Sequence, residues 1–557
     1  MMNNKRLELL VAATTSWLAA SMSWAQQWTE FVLPATLEEV PAKIEQQFGC
    51  TWQQLAEQQN ITHLKITGQD FSNSWYSEGK QALRQLVVKA RELDFSEVTA
   101  NPDWAIHSNY YEGPDPFAFI EFMGLTDLDS LRRITFPKTL HVLYGTSLRN
   151  CDNLEEVVWP DNILQLNYDM FRNCKSLKQI DIPASIVELP SSCFRDCKQL
   201  TTVTLHEGLQ KIGDDCFCYC DALTTIDIPK TVTDVGSSLF YACPLLASVT
   251  LPEGLPMISN SMFERCTSLT AIDIPSSVTT IGRSAFSECS ALSSITLPQQ
   301  VTTIGEYAFY YTSLEQFTMP DAVTSLGDYA FVGCQQLKTV HLSRALTSIP
   351  IRCFSDCQVL QEVNIPQRVT RIGHDAFVRC YQLAAPVLPE GLITLDEAAF
   401  WDTRFEQITL PSTLQNIGLQ CFRYSRLTSI NVPASVVSIG SGAFQDCPNL
   451  RQATLHEGLL YLLQNAFDNC PLLEDVALPN SLRVLGDWVF NGNKSKKTYV
   501  QPPLINNVPS YICQNCENLT SVTLHNRITK IGNNAFCGCT QLAHIDLPEG
   551  LVSQEHV

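Results

Sequence analysis

The sequence is poor in positive charge. It has 37 Lys and Arg residues against 57 Asp and Glu residues, which gives a formal net charge of −20 at pH 7. Proteins bind nucleic acid and anionic lipid mainly through clustered basic side chains. No basic patch is available here, so we expect neither nucleic acid nor anionic lipid to be the main partner.

Long hydrophobic runs and catalytic motifs are also missing. No stretch after Ala25 approaches the about 18 uninterrupted apolar residues of a transmembrane helix. The G-x-S-x-G, G-x-x-x-x-G-K-[ST], G-x-G-x-x-G and H-E-x-x-H motifs are absent. We therefore predict no transmembrane segment, no enzymatic activity, no cofactor and no metal site. An active site assembled from distant parts of the chain, as in an unrecognised hydrolase, is the alternative.

The first 25 residues have the pattern of an export signal. Lys5 and Arg6 form a basic start, residues 9–22 are moderately apolar, and Ser23-Trp24-Ala25 has the small-x-small pattern of a cleavage site. We interpret residues 1–25 as a signal peptide. The protein is then exported, to the cell surface, the medium or the periplasm. The alternative is a weakly hydrophobic helix at the start of a cytosolic protein.

The chain contains an internal repeat, which many of its 22 cysteines mark. Cysteine returns every 23 residues and then recurs in register with gaps, at Cys151, Cys174, Cys197, Cys220, Cys243, Cys266, Cys289, Cys334, Cys357, Cys380, Cys447, Cys470, Cys516 and Cys539. Thr312, Thr403, Ser425 and Asn493 take its place in other turns, and the turns after the first three of these are one residue short. This period predicts a leucine-rich solenoid of about 18 turns.

Each turn has a physical interpretation, for example between residues 269 and 289. Ile272 and Ile274 alternate with Asp273, as in a half-buried strand. Pro275 ends this strand because it has no N–H group for the ladder. Phe286 belongs to a phenylalanine column that only Leu148 and Cys513 interrupt. We expect the column to be the main spine of the core.

The bend of each turn often carries glycine, as at Gly282. In other turns Pro190, Pro350 and Pro509 stand at this position. Because proline fixes φ near −65°, the bend does not require a positive φ. Glycine is therefore predicted to allow close packing between turns.

Residues 26–130 do not follow the 23-residue rule. Residues 37–59 look helical in two pieces separated near Gly49, whereas residues 61–68 and 90–98 look like strands. We predict an N-terminal α/β cap with irregular first repeats over residues 26–130. Residues 131–557 then form a β-rich leucine-rich repeat solenoid with a parallel β-sheet.

The cysteines are better explained as buried free thiols than as disulfides or metal ligands. Neighbouring turns lie about 4.8 Å apart with parallel Cβ vectors, which does not suit disulfide geometry. The run from Cys216 to Cys220 follows the small inward positions of the repeat, except that Cys218 falls where we expect exposure, as does Cys537. A local disulfide between Cys513 and Cys516 remains an alternative.

Two sets of outward residues are candidates for ligand binding. On the strand face, Asp181, Asp227 and Asp273 alternate with threonine. Alternation relieves repulsion between neighbouring carboxylates, so stability alone explains it. Binding of cations or of a basic partner is the other interpretation.

The second set is aromatic and lies just after the phenylalanine column, at Tyr241, Tyr310, Tyr311, Trp401 and Tyr424. Such side chains suit contacts with proteins or sugars. Most of them precede the shortened turns that lack cysteine, so rings that fold inward to fill missing volume are an equal alternative.

The unit LxxIxLPxxVTxIGxxAFxxC, as it stands in residues 269–289 and 223–243, resembles the BspA-like (Treponema pallidum-type) leucine-rich repeat family. The resemblance implies an exported or surface protein, and some members are implicated in adhesion to host matrix proteins and in contact between bacteria. Our hypothesis is a non-enzymatic binding protein for a protein or glycan ligand. The alternative is a structural or envelope-assembly scaffold that binds another bacterial protein. The oligomeric state stays open.

Overall fold

The computed structural model describes residues 28–69, 77–99, 125–141, 143 and 148–554. The predicted signal peptide lies outside the described residues. The chain divides into two compact units, residues 1–223 and residues 224–557, which are described in turn.

In the first unit, a strand at Thr29–Val32 is followed by the helices of the predicted cap. A 3-10 turn at Leu37–Glu39 leads into helix α1 (Val40–Phe48), and helix α2 (Trp52–Gln58) follows. Gly49 ends α1 in the left-handed conformation with φ of 70°, which glycine adopts without steric cost. The two predicted helical pieces are confirmed. A third helix, α3 (Ser77–Val87), was not predicted.

The cap strands join the first repeats in one parallel sheet. Its order is β1 (Thr29–Val32), β2 (His63–Gln69), β3 (Glu92–Thr99), β4 (Arg133–Thr135) and β5 (Glu156–Val158). The predicted strands at 61–68 and 90–98 are therefore confirmed. The division of cap from solenoid at residue 130 stays a prediction.

Each later turn contributes a short strand before its bend, and many also contribute one before the proline. The strand predicted around Asp273 is not formed, and that position has only an isolated bridge to Thr296. In the first unit these strands are Gln179–Asp181, Glu188–Leu189, Thr202–Thr204 and Lys211–Ile212. In the second unit the strands before proline, or before the residue in its place, are Thr225–Asp227, Ser248–Thr250, Gln316–Thr318, Thr339–His341, Glu362–Val363, Ser429–Asn431, Gln452–Thr454, Thr498–Val500 and Ser521–Thr523.

The strands at the bend are two residues long. In the second unit they are Asp234–Val235, Met257–Ile258, Thr280–Ile281, Thr303–Ile304, Ser325–Leu326, Ser348–Ile349, Arg371–Ile372, Thr394–Leu395, Asn416–Ile417, Ser438–Ile439, Tyr461–Leu462, Val484–Leu485, Asn507–Val508, Lys530–Ile531 and Ser553–Gln554. All pairs are parallel and in register, as Thr280 with Thr303 shows. The predicted parallel solenoid is confirmed, with about 17 turns.

The phenylalanine column forms the spine of the core. From Phe240 to Phe490, consecutive rings in the second unit stack with centroids 5.2 to 6.1 Å apart. In the first unit, Phe171 and Phe194 stack in the same way at 5.3 Å. The predicted column is confirmed.

The cysteines are free thiols, and all but Cys537 are buried. Column thiols donate to the backbone of the preceding turn, as Cys289 Sγ does to the Phe263 carbonyl oxygen at 3.0 Å. The prediction of buried free thiols is confirmed, and Cys513 and Cys516 are not joined. The expected exposure of Cys218 was wrong, since its exposed fraction is 2%.

The bend glycines allow close packing between turns, as predicted. A Cβ atom on Gly327 would lie 2.3 Å from the Glu306 nitrogen and 2.5 Å from the Gly305 carbonyl carbon. Neither Gly282 nor Gly327 has a positive φ. Glycine is needed there for space between turns and not for backbone conformation.

We expect Gly327→Ala to lower the free energy of unfolding by about 1–3 kcal/mol, because the backbone of the preceding turn must move to admit the methyl group. Gly391→Ala is the matched control, since its Cβ would meet only the Gln367 oxygen, at 3.4 Å. Urea denaturation of both variants checks this. Equal stability of the two would contradict the packing role.

Candidate binding surface

On the strand face, two of the three predicted carboxylates, those of Asp181 and Asp227, are hydrogen-bonded to neighbouring turns. Asp181 Oδ1 lies 2.6 Å from His206 Nε2, and Asp227 Oδ1 accepts a bond from the Thr250 hydroxyl at 2.6 Å. Asp273 pairs with Thr296 through an isolated backbone bridge. These contacts fit the stabilising interpretation of the Asp and Thr alternation.

The aromatic residues lie along the edge that follows the phenylalanine column. Tyr311 is 44% exposed and Tyr424 is 41% exposed, while Tyr241, Tyr310 and Trp401 are half-buried. The structure therefore places all five rings at the surface of the second unit.

The rings do not fill the space of the missing cysteines. Thr312, Thr403 and Ser425 are themselves buried at those places. The Thr403 hydroxyl donates to the Phe400 carbonyl oxygen at 2.8 Å, much as a column thiol bonds to backbone. The inward-folding alternative is therefore wrong for the exposed Tyr311 and Tyr424.

Tyr311 and Tyr424 both have a left-handed backbone conformation. Each turn has two residues with positive φ, one before and one after the column phenylalanine, for example Ser284 at 53° and Glu288 at 57°. Asparagine, aspartate and glycine tolerate this conformation best, and many turns place them at the second position, as at Asn150, Asn173, Asp196, Gly333, Asp356, Asp402, Asp446, Asn469, Gly492, Asn515 and Gly538. Tyr311 at 52° and Tyr424 at 60° depart from that preference. The same is true of the residues at this position in five other turns, which are Tyr219, Ala242, Arg265, Glu288 and Arg379.

Four tyrosines form a contiguous group, which we call the tyrosine cluster, at Tyr307, Tyr310, Tyr311 and Tyr329. Tyr307 stacks on Tyr329 with centroids 4.7 Å apart and meets Tyr310 edge-on at 5.6 Å, and Tyr310 meets Tyr311 at 4.5 Å. The Tyr311 ring lies against Gly333, where a Cβ would come within 2.8 Å of it.

A second aromatic site lies at the two consecutive short turns. Trp401 and Tyr424 meet edge to face with centroids 5.5 Å apart. A cavity of about 390 Å³ opens beside this pair, and we call it the notch. Its lining includes Trp401, Asp402, Arg404, Tyr424, Arg426 and Asp446.

The notch follows from the shortened loops. Normal turns place two residues between the column cysteine and the next leucine, as in Cys266-Thr267-Ser268-Leu269. The sequences Thr403-Arg404-Phe405 and Ser425-Arg426-Leu427 have one residue there. The single loop residue is arginine in both turns, and both arginines line the cavity.

The two arginines of the notch differ from many other arginines of the second unit in how they are paired. Elsewhere on the second unit an arginine commonly pairs with a carboxylate of the adjacent turn, as Arg352 does with Asp375 at 2.8 Å. Such pairs join residues 23 positions apart, and Arg423 with Asp446 at 3.0 Å is another. Arg404 and Arg426 instead stand at equivalent positions of adjacent turns.

Both arginines are exposed, and in the described part of the chain neither is in an ion pair. Arg404 lies over the Tyr381 ring, 4.4 Å from its centroid. Partial burial raises the pKa of the Asp402 carboxyl, against the opposing effect of Arg404, Arg379 and Arg426.

Sequence reasoning missed four residues of this surface, namely Tyr307, Tyr329, Arg404 and Arg426. The tyrosines stand two residues before the column phenylalanine, and their side chains gain contacts only from neighbouring turns. The arginines were detectable as the single residues of the shortened loops, since the loss of one position was visible in the spacing.

Two kinds of site are missing from the residues that the structure describes. No group of three or more His, Cys, Asp or Glu side chains there is arranged to hold a metal ion. No helix in these ranges has both the length and the apolarity to cross a membrane.

Comparison with known proteins gives the family. The profile described as BspA type leucine-rich repeat region (6 copies) matches residues 120–247, 210–338, 302–427, 415–543 and 506–556. The chain belongs to the BspA-type leucine-rich repeat family. BspA-type and other leucine-rich repeat solenoids are generally used for protein binding and are typically non-enzymatic scaffolds.

Solved structures include further leucine-rich repeat proteins similar to this BspA-type chain. One from Bacteroides ovatus is 22% identical with a TM-score of 0.44, over 66% of this chain and 85% of that one. A leucine-rich cell surface protein from Faecalibacterium prausnitzii is 26% identical with a TM-score of 0.32, over 58% and 78%. The T. pallidum leucine-rich repeat protein is 23% identical with a TM-score of 0.23, over 37% and 77%. No curated protein matches the chain.

Proposed function

We propose that this protein is an exported, non-enzymatic binding protein that engages a protein or glycan on another cell or in the extracellular matrix. The binding surface is the aromatic edge of the second unit, made of the tyrosine cluster and the notch. The basic start, apolar run and small-residue pattern of residues 1–25 support export.

The observation that carries the proposal is the placement of exposed tyrosine rings on left-handed backbone. Tyr311 and Tyr424 hold φ values of 52° and 60° where Asn, Asp or Gly costs less. Their rings are also not needed in the core, because Thr312 and Ser425 fill the cysteine places. The core therefore does not require these rings, and exposed aromatic side chains are typical anchors of interfaces.

The strand face is the weaker candidate. Asp181 and Asp227 are engaged by His206 and Thr250 of the neighbouring turns, so the stability of the solenoid already accounts for them. We propose that binding does not depend on these carboxylates.

A capture experiment with residues 26–557 tests the proposal. The immobilised probes are extracellular-matrix proteins, cell-surface glycans and a bacterial envelope extract. We expect Tyr311→Ser/Tyr424→Ser to lose most of the captured partner, and the Asp181→Asn/Asp227→Asn/Asp273→Asn variant to retain it. The reverse pattern would move the binding surface to the strand face.

Cell fractionation separates the proposal from the envelope-scaffold alternative. Surface or secreted protein is expected if the partner lies outside the cell. Protein found only in the periplasm would favour a scaffold that binds another bacterial protein. Incubation with glycans and peptides is expected to leave both unhydrolysed.

A further inference from the structure

We propose that the notch binds an acidic carbohydrate, with the ring of one sugar against Trp401 and Tyr424 and its carboxylate or sulfate between Arg404 and Arg426. This inference rests on the proposed function and names a ligand class for one part of the aromatic edge.

The two arginines are the reason to propose an anionic group on the ligand. They stand in register on adjacent turns, and like charges so placed repel each other. In the described ranges neither has an ion-pair partner, although other arginines of the same unit pair across turns, as Arg379 does with Asp356 at 2.9 Å. A guanidinium presents a planar fork of donors that matches a carboxylate or sulfate. A bound anion would relieve this repulsion.

The other residues that line the notch are the reason to propose a carbohydrate. Arg379 lies over the Trp401 ring at 5.9 Å and Arg423 over the Tyr424 ring at 4.7 Å. The ring surfaces that line the notch beside these contacts suit the C–H faces of a pyranose. Asp402 and Asp446 supply acceptors for hydroxyl groups. The lining has no aliphatic side chain except that of Pro448, so it offers little to anchor an apolar peptide side chain. The volume of about 390 Å³ falls in the usual range of small-ligand sites.

Direct binding measurements on the full chain test the inference. The probes are a glucuronate-containing oligosaccharide, a sulfated oligosaccharide, an uncharged glucose oligosaccharide of the same length, and a poly-glutamate peptide. We expect one or both acidic sugars to bind at least about tenfold more tightly than the uncharged sugar or the peptide, because they add charge-assisted hydrogen bonds. A preference between carboxylate and sulfate identifies the source of the anion.

The decisive variant is Arg404→Gln/Arg426→Gln, which keeps side-chain size and removes the charges. We expect it to bind acidic sugar about tenfold more weakly or worse. Arg344→Gln/Arg368→Gln is the matched control, because it removes two exposed arginines from adjacent turns outside the notch. The control should bind as the unchanged protein does, and thermal unfolding should be the same for all three.

Four results would overturn the inference: no binding of either acidic sugar, equal binding of uncharged sugar, binding of the peptide alone, or unchanged affinity in the Arg404→Gln/Arg426→Gln variant. If that variant still captures the partner found with the intact protein, while no acidic sugar binds, the notch inference fails and the proposed function stands. Loss of capture in Tyr311→Ser/Tyr424→Ser is a separate result that tests the proposed function.

Discussion

Replacement of Phe286 by alanine is expected to lower the free energy of unfolding of the second unit by about 3–5 kcal/mol. Phe286 is fully buried, and its ring stacks between Phe263 and Phe309 with centroids 5.5 and 5.7 Å apart. The substitution removes one member of the column and leaves a cavity, since the neighbouring turns are held in place by their strand pairs. Urea denaturation, with limited proteolysis to locate the opening, measures the loss.

Val387→Ala is the control for Phe286→Ala. Val387 is 80% exposed, so its truncation should change stability by no more than about 0.5 kcal/mol. A similarly small loss for Phe286→Ala would show that the phenylalanine column does not hold the turns together.

Thiol titration is expected to give the other large effect. In the native protein only Cys537 is exposed, so one thiol should react promptly, and all 22 should react after denaturation under non-reducing conditions. Burial shields the others and raises the pKa of the Cys151 and Cys218 thiols to about 12, which suppresses the reactive thiolate.

The pH dependence has a definite sign. Because these thiol pKa values are raised in the folded protein, the thiolate is favoured only after unfolding. The folded state therefore loses stability as pH rises above the ordinary thiol pKa of about 8.5.

In the thiol titration, fewer than half of the thiols reacting in denaturant would contradict the free-thiol assignment and indicate disulfides.

Much of the fold was predictable because the same residue types recur at the same positions of many turns. The cysteine register and the phenylalanine column each follow from periodicity and side-chain volume. Gly282 is a further case, because proline at equivalent positions ruled out a need for positive φ. These features depend on contacts between identical positions of adjacent turns, which a period in the sequence defines.

The remainder depended on geometry that the spacing does not show. Cys218 was expected to be exposed, but contacts with the surrounding turns bury it to an exposed fraction of 2%. The left-handed backbone of Tyr311 and Tyr424 is not visible in the sequence, since other turns hold Asp or Asn there without a fixed rule. Arg404 and Arg426 were recognisable in the sequence as the single residues of the shortened loops, but only the structure shows that they lie beside the aromatic pair.

The most direct test of binding through the aromatic edge is to compare affinity and melting temperature in Tyr310→Ser/Trp401→Ser. One half-buried ring is removed from the tyrosine cluster and one from the notch. We predict at least about a tenfold loss of affinity for the captured partner, as for interface anchors, with a fall in melting temperature of only about 2–4 °C. A large fall in melting temperature with binding retained would show that the rings serve the fold and would contradict the account.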